Sequence, residues 1–183
     1  MTRSHWLAVF APLALALPAH AEGPPAPPKP APALVEAFKS MEGSWACTGN
    51  MENPAKPGTQ LATRSEVKIG PEVDGFGYTG SFKLEKNAAM PTGGKVNIHW
   101  AYDTAKKQLV EFGVDNGGGT WSSTSDGLKD GNLVWVGEGA MGDKTVKART
   151  TVTRKSPTEV VVVSEIDNKG AWQKMGEDHC KKK

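Results

Sequence analysis

A period of two dominates this chain from Gly43 onward and leaves few folds open to it. In GSWACTGNM, Trp45, Cys47 and Met51 share one face while Ser44, Thr48 and Asn50 share the other. QLATRSEVKI sets Leu61, Thr63, Val67 and Ile69 against Arg64, Glu66 and Lys68. GFGYTGSFKL sets Phe76, Tyr78, Phe82 and Leu84 against Gly77, Thr79, Ser81 and Lys83, and KVNIHWAYD sets Val96, Ile98, Trp100 and Tyr102 against Lys95, Asn97, His99 and Asp103. Successive side chains of a strand point to opposite faces, so each run predicts a strand with one dry and one wet face. Less regular runs follow around Val110, Phe112 and Val114, around Trp121, and around Leu133 and Trp135. KTVKARTTVTRK, TEVVVVSEI and AWQKMGEDHC, the last with Trp172 on the dry face beside Cys180, bring the count to ten.

Between the runs lie Asp115-Asn116-Gly117, Asp126-Gly127, Asp130-Gly131, Gly142-Asp143 and Asn168-Lys169-Gly170, residues that tolerate positive φ and permit tight reversals. Pro54, Pro57, Pro71, Pro91 and Pro157 are read as falling in such intervals, where none would be expected to interrupt a ladder. Only LVEAFKSM, Leu34 to Met41, has helical spacing, enough for one short helix. The chain therefore predicts an all-β fold, a ten-stranded antiparallel up-and-down barrel with a short N-terminal helix, because closure is the surest protection for sheet edges. A two-sheet sandwich is the rival, since alternation does not distinguish closing from stacking.

Cys47 lies near the beginning of the first predicted strand and Cys180 near the end of the last. In an even-stranded meander that closes, those points are neighbours at one end of the barrel. With only these two thiols in an exported chain, a disulfide is the expectation, stabilising by roughly 4 to 5 kcal/mol in the chain-entropy treatment of a long loop. The CxxC spacing of redox pairs is absent.

Export is read from the first 21 residues. Arg3, the apolar run LAVFAPLALAL, Pro18, and Ala19 and Ala21 around His20 have the order of a secretory signal peptide, with cleavage near Ala21. The run falls well short of the ~20 residues a membrane span needs, so the mature chain is expected to carry no integral membrane segment. EGPPAPPKPAPA, residues 22–33, reads as an extended linker, and residues 34–183 as one domain, periplasmic or secreted. A net charge of +2 gives nucleic acid no electrostatic footing.

Gly43-Ser44-Trp45 after a short helix, at the mouth of the first strand, resembles the opening of lipocalins and other calycins. MEGSWACTGNM, Tyr102-Asp103 at a strand end and WQK in the last strand are similar to exported members of the bacterial domain-of-unknown-function family 1579, over nearly all of Phe38 to Cys180. The resemblance implies that Trp45 packs across one end of a barrel beneath a basic residue from a late strand, Lys174 or Arg154. It implies no activity.

The dry faces nominate Phe76, Tyr78, Phe82, Trp100, Tyr102 and Phe112 as the lining of a lumen able to hold a small apolar or amphipathic ligand, since a barrel of eight or more strands has such room. The alternative is a ligand-free structural or interaction module, because inward aromatics also serve simply to fill a barrel. The second alternative comes from nitrobindin-like haem barrels, which also open on Gly-x-Trp and ligate iron through a late histidine. His179 is the candidate here, although alternation places it outside unless a bulge at Gly176 shifts the register. No other cofactor or metal is expected, and no catalytic residues are nominated, because no Ser-His-Asp or Cys-His set is recognisable. The GxGxxG at Gly75 to Gly80 lies within an alternating strand and has no following helix to bind a pyrophosphate. Gly117-Gly118-Gly119 and the acids of SDGLKDG read as hairpin turns.

Overall fold

Proline suits the first turn of a helix, where its missing N–H would have no partner anyway. In the computed structural model, which describes residues 27–141 and 144–183, Pro32 accordingly opens α1 (Pro32–Phe38), two residues before the predicted start. The helix tightens into a 3-10 turn over Lys39–Met41. Its spacing buries Leu34, Ala37, Phe38 and Met41 and leaves Val35 outside. The signal segment, the first part of the linker and the Gly142-Asp143 turn lie outside the described residues. No described helix is long and apolar enough to cross a membrane.

Among the described residues eleven strands follow: β1 (Gly43–Glu52), β2 (Gln60–Glu72), β3 (Gly77–Leu84), β4 (Gly94–Asp103), β5 (Gln108–Asp115), β6 (Thr120–Ser125), β7 (Leu128–Lys129), β8 (Asn132–Met141), β9 (Lys144–Ser156), β10 (Glu159–Asn168) and β11 (Ala171–Lys182). Apart from β6 and β7, which do not pair with each other, each pairs antiparallel with its neighbours in sequence. Two-residue β7 pairs only with the start of β8, and β6 passes it by to pair with β8 directly. The wall is thus ten strands, and β1 against β11 closes it. Closure, not stacking, is the outcome. Cys47 stands opposite Cys180 in that seam and the two are disulfide-bonded, across 133 residues of sequence.

Residues directly opposite in an antiparallel pair share a face, so each strand inherits its inward set from its neighbour. This rule overturns two expectations. In β5, Leu109, Glu111 and Gly113 oppose Tyr102, Trp100 and Ile98 and therefore point inward. Phe112, expected in the lumen, is 51% exposed on the outer wall with Val114 at 37%. In β11, Ser164 pairs with Gly176 and Glu165 with Lys174, which leaves Met175 as a bulge. The bulge turns Trp172 outward, opposite Asp167, whereas Cys180 stays inside. Arg149 lies over the Trp172 ring, 4.6 Å from its centroid. Phe76 is also displaced. It follows a 3-10 turn, Val73–Gly75, just before β3 and is 40% exposed.

Candidate functional site

The lumen is filled at one end and hollow towards the other. At the filled end α1 acts as a plug. Phe38 packs its ring 4.8 Å from Trp100, 5.2 Å from Tyr78 and 6.4 Å from Trp135, centroid to centroid. Leu34, Leu109 and Leu133 are fully buried around it. The Tyr78 hydroxyl donates to Glu42 Oε1 at 3.1 Å, and burial together with that carboxylate pushes its pKa up. Arg154 donates through Nη2 to the carbonyls of Glu36 and Ala37, anchoring the C-terminal end of the helix where carbonyls lack helical partners. Burial pushes its pKa down, and its Nε is buried without a partner.

The Gly-x-Trp motif has a local reason. Gly43, at φ +113°, makes the corner from the 3-10 turn into β1, a conformation that costs other residues strain. Two residues on, Trp45 points inward and donates Nε1 to the Met41 carbonyl at 2.8 Å. The basic residue over its ring is Lys182, with Nζ 5.6 Å from the centroid and bonded to the Ser40 carbonyl at 3.2 Å. Neither expected candidate takes that place: Arg154 is committed to α1 and Lys174 pairs with Glu177.

Above the plug lies a cavity of about 290 Å³, lined by Phe82, Trp100, Trp45, the disulfide and aliphatic side chains of β2 and β10. A second, about 220 Å³, continues towards the end away from α1, and Glu111, Trp121, Trp135 and Thr150 border both. Glu111 is the centre of this hollow half. Its Oε2 accepts from Trp100 Nε1 at 2.7 Å, and its Oε1 accepts from Trp121 Nε1 at 2.9 Å and Ser123 Oγ at 2.8 Å. The indoles reach it because glycines make room. A Cβ on Gly80 would sit 2.5 Å from Trp100, and one on Gly113 would overlap the Trp121 ring. Across the lumen Asp178 also lines the larger cavity, its Oδ1 accepting from the buried Thr63 hydroxyl at 2.7 Å.

Of the six nominated residues, Phe82 and Trp100 border the cavity. Tyr78 belongs to the plug, Tyr102 is half-buried against the core, and Phe76 and Phe112 face out. His179 also faces out, with Nε2 2.9 Å from Glu177 Oε1, because the bulge precedes it and leaves its parity unchanged. Glu111, Trp121 and Asp178 were not anticipated from alternation, which treats carboxylates as outward.

Neither protein-family models nor curated proteins give a match to this chain. Among solved structures, Rv2717c from M. tuberculosis superposes with a TM-score of 0.61 at 12% identity, covering 85% of this chain and 99% of that one. The S-type phycobiliprotein lyase CPES from Guillardia theta covers 78% of this chain and 87% of its own at 14% identity, with a TM-score of 0.48. The likeness to Rv2717c is one of fold alone.

Proposed function

We propose that this is an exported binding protein that holds a small amphipathic molecule in the hollow half of its barrel. The observation that carries the reading is Glu111. A barrel that needs only to fill itself would place an aliphatic side chain there, because a carboxylate taken from water must be compensated by bonded partners. Here two indoles and a hydroxyl are spent on it at the border of two cavities. Aromatic walls with a few placed polar groups are the usual make-up of small-molecule sites. Disulfide closure suits the oxidising compartment that the signal-like first 21 residues imply. Membership of family 1579 belongs to the same proposal and is supported by MEGSWACTGNM, Tyr102-Asp103 and WQK.

Native mass spectrometry of the protein purified from the cells that make it tests the reading. A retained small molecule, displaced when amphiphiles quench tryptophan emission, is the expected result. A clean apo mass with no change in emission across a panel of lipids and haem would overturn it and leave the ligand-free envelope module. Haem through His179 predicts Soret absorbance that is lost in His179→Ala.

A further inference from the structure

We propose that the lumen selects a molecule whose polar end is a hydrogen-bond-donating cation, such as a primary amine, joined to an apolar body. The inference rests on the lumen-binding reading and adds the head-group chemistry.

Among the described residues, Glu111 and Asp178 are the only charged side chains that line the larger cavity. Both are carboxylates, so the enclosure bears one sign of charge. The partners of Glu111 are all neutral: Trp100, Trp121 and Ser123 stabilise its charge without cancelling it. Asp178 is held similarly by the neutral Thr63 hydroxyl. Gly49, its cross-strand partner, keeps its place clear, since a Cβ there would overlap the Asp178 carboxylate. Two like charges facing one half-enclosed cavity are best balanced by a positive group that enters it, and an anion would meet repulsion from both.

The walls favour the same sign. Trp45, Trp100, Trp121 and Trp135 border this cavity, and the faces of indoles attract cations through the ring quadrupole. Val67, Ile69, Val152, Val160 and Val162 supply the apolar contact for the rest of the molecule. The chemistry is therefore opposite to that of a fatty-acid site, which would present Arg or Lys to a carboxylate.

The test uses octylamine, octanol and octanoate, three probes with one tail and three heads, titrated at pH 7 into the purified protein and followed by tryptophan emission. At that pH the amine is charged and the acid ionised. Octylamine is expected to bind at least roughly tenfold more tightly than octanoate, with octanol between them. Asp178→Asn and, separately, Glu111→Gln should each reduce the amine's advantage over octanol. Having two variants guards against one that misfolds, which circular dichroism would reveal. Equal or tighter binding of octanoate overturns the head-group assignment and leaves the lumen reading standing. So does an amine preference unmoved in both folded variants, which would place the amine on the outer surface. No binding of any of the three overturns the lumen reading, and the inference falls with it.

Discussion

The two ends of this barrel are built from the same strands but solve opposite problems. At the α1 end, large side chains converge: Phe38 is wedged among Tyr78, Trp100 and Trp135, and Leu109 and Leu133 are fully buried. Further along, glycine occupies inward positions on β3 and β5, and the space released is taken by indoles that turn their N–H groups to a carboxylate. The first arrangement is one of stability, since each apolar group removed there leaves a void. The second gives up apolar contact to keep a polar group in a defined position. The lesson is that Trp100 belongs to both, with its ring against Phe38 and its Nε1 on Glu111, so the plug also positions the site.

Phe38→Ala should break the filled end and have the largest effect. Loss of a fully buried phenyl costs ~3–5 kcal/mol. For a domain of this size that is a fall of about 10 °C in melting temperature, readable by calorimetry. Gly113→Ala strikes the hollow end instead. The added methyl must push Trp121 from its seat, at a cost of ~1–3 kcal/mol. A smaller fall in melting temperature is therefore expected, accompanied by a red shift in tryptophan emission as the indole leaves Glu111. An unshifted spectrum would mean that the seat is not needed.

The smallest effect belongs to the outer wall and sharpens the contrast with Glu111. Glu165 is bonded to the Arg149 guanidinium at 2.6 and 2.8 Å, and that hydrogen bond, reinforced by the arginine's charge, holds its carboxyl below the usual range. A lowered native pKa means that the contribution is present above the unfolded value of about 4.3 and is lost as pH falls through the native one. Glu165→Gln should lower the urea midpoint at pH 7 by the equivalent of ~0.5 kcal/mol, as a surface pair does. The difference should shrink as pH falls below the unfolded value and vanish once the native carboxyl is protonated as well. A difference that persists in acid would mean that the side chain acts by packing.

Much of the fold was legible, and the reasons are local. Alternation in β1 to β4 is clear because their inner faces carry Trp, Val, Ile and Phe in sequence, and the turns are marked by glycine and proline. β5 misled for a physical reason. In QLVEFGVD the apolar set is Val110, Phe112 and Val114, but the reversal after Asp103 pairs Trp100 with Glu111 and so carries the even-numbered inward residues of β4 onto odd-numbered residues of β5. The four residues Thr104 to Lys107 set that sum, and recognising their turn would have exposed Glu111. Trp172 was misplaced for a related reason: one unpaired residue, Met175, reverses the parity of everything before it in the strand. Lys182 was overlooked above Trp45 because it lies in a run of three lysines that reads as a solvated tail.

Period two and turn chemistry determined that this chain forms an antiparallel meander, and the placing of two cysteines pointed to its closure, because strand geometry and the reach of a disulfide are short-range properties written residue by residue. The inside of the barrel was decided elsewhere. Which face of β5 is wet, which tryptophans meet at Glu111 and where Asp178 looks all depend on the register between strands. Register is fixed only when neighbours pair, and a single step moves every side chain to the other side of the wall.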